Sequence, residues 1–159
     1  LPALDPIRLS WKSAKFLHAS VCGIAVAAGS SFLSGLPAHA APATVVSVGD
    51  GDTLRVRRAG QTITIRLACI DAPETSQKPH GAQASQALKA LVPIGSGIDL
   101  RIKTTDRYGR SIAEITRNGR NINQALVASG AAFVYWQYIQ GCDRQTYSRL
   151  ETEARLKGK

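Results

Sequence analysis

The stretch Arg66-Leu67-Ala68-Cys69-Ile70-Asp71-Ala72-Pro73-Glu74 limits what this chain can fold into more than any other. It carries an arginine in an Ile/Leu run and then breaks at a proline held between two carboxylates. A guanidinium within an apolar strand is costly unless an anionic partner meets it. Asp71 and Glu74, projecting from a turn that Pro73 fixes, offer oxygen ligands suited to a hard cation. A cation, an arginine and a spare carboxylate so close together point to phosphate-ester chemistry. The same residues admit a plainer reading, in which Arg66 and Asp71 form a structural ion pair in an ordinary polar turn.

The segments around this stretch alternate in a way that predicts strands at 44–48, 53–57, 62–67, 97–103 and 111–116. Helical spacing predicts a helix over 81–91, stopped by Pro93. Asn121 is placed to cap a second helix that ends at Gly130, and Asp143 to cap a last, polar helix from Arg144 onward. Three strands, a helix, two strands and further helices give an α+β chain, a five-stranded Greek-key OB-fold barrel with about three helices. Five short strands alone also fit a sandwich.

Residues 1–40 differ in composition from the rest. Arg8, Lys12 and Lys15 precede an uncharged run with a small apolar core that ends Ala38-His39-Ala40, the pattern of a cleavable secretory signal. Its apolar core is too short for the roughly 20 residues of a spanning helix. The expected mature part is one domain, 41–159, secreted or periplasmic, monomeric and without stable membrane association. Lys and Arg number 20 against 11 Asp and Glu, a net +9 that favours polyanionic partners.

Asp50-Gly51-Asp52 reads first as a turn. An acidic turn on the first hairpin and the Asp71 turn after the third strand can share one end of a barrel, so that Asp52 and Asp71 face one cation. The three histidines, His18, His39 and His80, have no paired ligand spacing, which leaves zinc and haem sites without support. An EF-hand loop is absent as well. Downstream, Thr105-Asp106-Arg107-Tyr108-Gly109-Arg110 reads as a hairpin turn carrying an aromatic. Trp136 and Tyr138 are spaced so that both rings face one way, as core residues or as a stacking platform.

Taken in order, Gly49-Asp50-Gly51-Asp52-Thr53, the Arg66-to-Glu74 stretch and the Thr105-to-Arg110 turn resemble the staphylococcal nuclease family, over nearly all of the chain from about Ala43 onward. The resemblance implies calcium as cofactor, with Asp52, Asp71 and the backbone carbonyl of Ala72 as ligands and Asp50 as a supporting carboxylate behind them. It implies Glu74 as the general base that positions and deprotonates water, and Arg66 and Arg110 as phosphate clamps. Tyr108 would lie against a terminal phosphate, while Trp136 and Tyr138 would stack on a base. The implied activity is a sugar-nonspecific endonuclease acting on DNA and RNA to leave 3′-phosphate ends. The alternative is a non-catalytic OB-fold module that binds nucleic acid or protein, and the complete charged set Asp52, Arg66, Asp71, Glu74 and Arg110 argues for the enzyme. The stretches 75–85 and 103–105 are shorter than in the family's best-known member, so loop contacts do not carry over. Removal of the signal takes Cys22 with it and leaves Cys69 and Cys142, which the oxidising compartment and the implied fold predict to be joined.

Overall fold

The computed structural model describes residues 42–159. The leader expected over 1–40 lies outside the described residues. None of the described helices is long and apolar enough to cross a membrane.

Strands β1 (Ala43–Val48), β2 (Thr53–Arg58) and β3 (Gln61–Leu67) form an antiparallel meander. The short strand β4 (Ile70–Asp71) follows, and helix α1 (His80–Leu91) crosses to β5 (Gly97–Thr105), which pairs with β6 (Ser111–Arg117). Antiparallel β1–β5 pairing and a parallel β3–β6 contact close these strands into a five-stranded barrel. The two-residue β7 (Arg120–Asn121) leads into α2 (Ile122–Ser129). Then come β8 (Phe133–Val134), a 3-10 turn at Trp136–Tyr138 and α3 (Arg144–Leu156). The five expected strands and three helices are all present, in the OB-fold order.

Alternation fills the barrel. Val45, Leu54, Val56, Ile65, Leu67, Ile98, Ala113 and Ile115 point inward and are buried, and Leu88, Ile122 and Leu126 close the core from the helices. Asn121 accepts a hydrogen bond from the Gln124 N–H, and Gly130 ends α2 in the left-handed region (φ 76°), as a C-terminal glycine does. Asp143 caps α3 by accepting from the Thr146 N–H at 3.1 Å.

Two expectations change. The last helix is not wholly polar: Tyr147 is 0% exposed, and its hydroxyl donates to Glu114 Oε1 at 3.0 Å. Asp71 stands not in the proline turn but on β4, paired with β8, where Asp71 lies opposite Phe133. The chain has already turned at Ala68–Cys69, with Cys69 at φ 65°.

Candidate active site

The turn between β1 and β2 and the segment after β3 meet at one end of the barrel. Asp52 is 4% exposed and is held in place by hydrogen bonds from the Ala72 N–H (2.9 Å) and the Thr53 hydroxyl (3.1 Å). Its own carbonyl accepts from the Leu67 N–H at 2.8 Å, so the Asp52 turn is stitched to both sides of the β3 bend. Gly51 lies in this turn and also leaves room for the close approach of α1. A Cβ there would sit 2.5 Å from the Ala84 Cβ of α1 and 2.8 Å from the Ala72 Cβ.

Arg66 bridges the two carboxylates expected to face one ion. Its guanidinium pairs with Asp52 Oδ2 and with Asp71 Oδ1, the latter at 2.6 Å, and donates to the Ile70 carbonyl at 3.2 Å. Burial pushes the Asp52 carboxyl up to about 6, and Asp50 nearby adds to the rise. Arg66 and the Ala72 N–H pull the other way without offsetting it. Asp50 Oδ1 is itself buried without a hydrogen-bond partner. The ion pair of the plainer reading is therefore present, but it leaves a buried oxygen and a buried acid short of positive charge. All available donors are oxygens, from Asp52, Asp71, the Ala72 carbonyl and Asp50, which suits a hard cation such as calcium. Among the described residues no cluster of three His, Cys, Asp or Glu side chains is gathered around a point, so carbonyl and water oxygens would have to complete such a site.

Glu74 is exposed at the rim. Its N–H donates to Gln77 Oε1 (2.7 Å), and its carbonyl accepts from the Gln77 N–H (2.8 Å). Helix α1 presses on it from behind: a Cβ on Gly81 would fall 1.8 Å from the Glu74 carbonyl oxygen, so only glycine lets the helix start there.

Arg110 faces this cluster from the turn between β5 and β6. Asp106 accepts from its Nε at 2.8 Å and from the N–H groups of Tyr108 and Arg110 at 2.9 Å each, while Gly109 turns at φ 78°. Burial tends to raise the Asp106 carboxyl, but these hydrogen bonds outweigh it and hold the group below its ordinary value. With Nε occupied, the two terminal nitrogens of Arg110 are oriented for an outside acceptor. The Tyr108 ring lies 4.9 Å from the Arg107 guanidinium and 5.6 Å from that of Arg110.

An open groove of about 730 Å³ collects Arg66, Asp71, Glu74, Tyr108, Arg110 and Tyr138 along its walls. Trp136 is not among them. The 3-10 turn has a period of about three residues, so positions 136 and 138 do not share a face. The indole N–H of Trp136 donates to Glu151 Oε2 on α3 at 3.1 Å, and Arg144 stacks 5.3 Å from its ring. The aromatic that joins Tyr138 in the groove is Tyr135, at 4.8 Å and edge-on. Sequence spacing alone does not reveal it. Lys103 also reaches the groove wall, because a bulge between Ile102 and Thr104 turns it off the regular alternation of β5.

Cys69 and Cys142 are joined by a disulfide with an S–S distance of 2.04 Å. It ties the bend two residues before Asp71 to the segment just ahead of the α3 cap. Asn123, 0% exposed, fastens the same bend to β6. Its amide donates to the carbonyls of Ala68 (2.9 Å) and Ala113 (3.2 Å) and accepts from the Ile115 N–H (3.1 Å).

The family model described as staphylococcal nuclease homologue matches residues 64–159. An uncharacterized endonuclease of Escherichia coli O157:H7 is 41% identical over 95 residues, covering 59% of this chain and 61% of that protein. An uncharacterized endonuclease of Haemophilus influenzae is 36% identical over 115 residues, 72% of this chain and 62% of that protein. A micrococcal nuclease of Shigella flexneri is 38% identical over 141 residues, 82% of this chain and 79% of that protein. The chain thus spans about three fifths of the length of the endonucleases it matches. A family match over more than half of the chain, on a closed barrel with the charged cluster at one end, makes this chain a member of the staphylococcal nuclease homologue family.

Proposed function

We propose that this chain is a calcium-dependent, sugar-nonspecific endonuclease that hydrolyses phosphodiester bonds of DNA and RNA and leaves 3′-phosphate ends. One observation carries the reading: Arg66, Glu74 and Arg110 converge on one groove beside Asp52, a buried carboxylate that shares Arg66 with Asp71. Asp52, Asp71 and the Ala72 carbonyl would hold calcium, with Asp50 behind them, and the ion would supply charge neutralisation to a bound phosphate. Arg110, fixed through Nε, presents paired N–H donors to phosphate oxygens, and Arg66 lines the same groove. Together they stabilise charge on the phosphoryl oxygens as it builds. Glu74, exposed and in contact with water, takes the proton of the attacking water as its oxygen joins phosphorus. The bond to the 5′ oxygen then breaks, and that oxygen leaves as a hydroxyl after taking up a proton.

Tyr108 and Tyr138 offer faces for the flanking nucleotide, and the similarity to an endonuclease and a micrococcal nuclease supports the same chemistry. The basic surface attracts either nucleic acid without reading its sequence. The remaining parts of the reading are a monomer, exported to the periplasm or beyond behind the leader at 1–40 and free of the membrane afterwards. Incubation of single-stranded DNA, duplex DNA and RNA with the protein in calcium, and again with excess chelator, tests the proposal. Cleavage of all three that stops on chelation is expected. Binding without cleavage in calcium would establish the non-catalytic module instead, and undiminished cleavage in chelator would overturn the calcium assignment.

A further inference from the structure

Along β3, Ile65 and Leu67 point into the barrel, so Thr62 and Thr64 share the outward face of the sheet with Arg66. Arg66 lines the groove, and that sheet face therefore runs out of the groove at this residue. Strand register sets Arg55 of β2 between Ser47 of β1 and Thr64 of β3, and Arg57 between Thr44 and Thr62. Each of these two rows holds one exposed arginine flanked by two hydroxyls, and the rows lie about 6.7 Å apart, two residues of strand. Strands β1, β2 and β3 contain no aspartate or glutamate. Among the described residues, the ion pairs take up Arg66 at the groove end of this face but neither Arg55 nor Arg57. Two cations held close together on a rigid sheet, with no counter-charge from the fold, raise the local potential for an anion arriving from solvent.

We infer that the outward face of β1, β2 and β3 is a second nucleic-acid contact, a track on which the phosphate backbone of the substrate lies once it has left the groove past Arg66. Guanidinium forks and hydroxyls donate to phosphate oxygens, and nothing on the face reads a base. An anionic lipid surface is the other polyanion that a basic face can meet. Such binding also draws on apolar side chains that insert, and none of the large exposed hydrophobics lies on these three strands. The contribution of the track shows only with polynucleotides long enough to span both groove and face. The track rests on the nuclease reading above, and the test keeps the two apart.

The double variant Arg55→Gln, Arg57→Gln is compared with wild type and with Lys89→Gln, Arg120→Gln, which removes the same charge from exposed positions on α1 and β7. Anisotropy of a long fluorescently labelled DNA, in chelator and across a series of salt concentrations, reads binding without cleavage. The first variant should bind roughly 10- to 60-fold more weakly at about 0.1 M salt, with a plot of log affinity against log salt shallower by about 1.8, the share of two phosphate contacts. The charge-matched control should keep the wild-type slope, and Arg55→Lys, Arg57→Lys should recover it. In calcium, the first variant should raise KM for long DNA and leave unchanged the turnover of a chromogenic nitrophenyl phosphodiester of thymidine, too small to reach past the groove. Equal losses in the two glutamine variants would mean that net charge alone acts, and a wild-type slope in both would mean an idle face. Equal loss on long DNA and the small ester would mean that the substitutions disturb Arg66 through the sheet. Each of these results overturns the track, as would pelleting with phosphatidylglycerol vesicles that needs Arg55 and Arg57 while the DNA slope stays as in wild type. If the wild type cleaves neither substrate in calcium, the nuclease reading fails, and the salt series still decides the track.

Discussion

Asp52 and Glu114 are buried to almost the same depth, 4% and 5% exposed, yet they are treated in opposite ways. Glu114 receives everything a carboxylate can use. Lys103 lies 2.8 Å from Oε2, and Asn121 and Tyr147 each donate to Oε1 at 3.0 Å. These partners outweigh burial and hold the group below its ordinary value. Asp52 has Arg66, but shares it with Asp71, and stands near the unpartnered oxygen of Asp50, so burial wins. Geometric satisfaction marks the first as a strut of the fold, while electrostatic deficit marks the second as a place prepared for charge from outside.

The sharpest way to break this contrast is by catalysis. Arg66→Ala, Glu74→Gln and Arg110→Ala should each lower turnover by roughly 10²–10³-fold. Glu114→Gln, assayed well below its melting temperature, should stay near wild type in steady-state DNA hydrolysis. Comparable losses at position 114 would erase the distinction.

The disulfide joins the two regions, since Cys69 precedes Asp71 and Cys142 follows Gly141, whose carbonyl accepts from Lys103 in the Glu114 cluster. Replacing both cysteines by serine should cost about 3 kcal/mol, because the bridge closes a long loop in the unfolded chain. Urea unfolding measures this, and thiol titration of denatured, unreduced protein should find no free Cys69 or Cys142 thiol. Glu114→Gln should cost about 2 kcal/mol by weakening hydrogen bonds to a charged group, read as a lower melting temperature.

The step from one pH to the next carries a smaller effect. With Asp52 raised to about 6 from an unfolded value near 3.8, the folded state binds the extra proton between those values, so this group's contribution to stability falls as pH rises through that window. Glu114, depressed, behaves in the opposite sense: its contribution is present above its unfolded value near 4.5 and is lost as pH drops through the lower folded value. In chelator, from pH 4 to 6, Asp52→Asn should gain on wild type with each step upward by at most about 1.4 kcal/mol per pH unit. Below pH 4.5 the deficit of Glu114→Gln should shrink with each step down. Thermal melts of the three proteins across pH check both signs, and parallel curves would show that the two carboxylates do not differ.

Much of the barrel was legible because alternation and caps act locally: β1 to β3, β5, β6, and the caps at Asn121 and Asp143 follow from neighbouring residues alone. The convergence of Arg66, Glu74, Tyr108, Arg110 and Tyr138 on one groove was foreshadowed by the motifs that carry them. Long-range contacts set what was missed. Glu114, Asn123 and Tyr147 read as ordinary strand and helix positions, and only the packing of α2 against β6 and of α3 against α2 buries them. Lys103 is turned by a bulge, Trp136 by a 3-10 turn, and Asp71 by a two-residue ladder too short to leave a pattern. Gly51 lies in the expected turn, but the shortage of room beside Ala84, a second demand for glycine there, leaves no trace in the local sequence.

The bridge between Cys69 and Cys142 also fixes what happens to this molecule when its backbone is cut. All the exposed connections that border the groove, at 74–79, 106–109 and 135–141, lie inside the covalent ring of sequence separation 73 that the bridge closes. A protease that nicks any one of them linearises the ring without releasing a fragment, so the two pieces stay tethered and the barrel strands on either side keep their partners. The loops that border the groove can thus be damaged one at a time with the molecule still in one piece, a fault that shows as two bands on a reducing gel and one on a non-reducing gel.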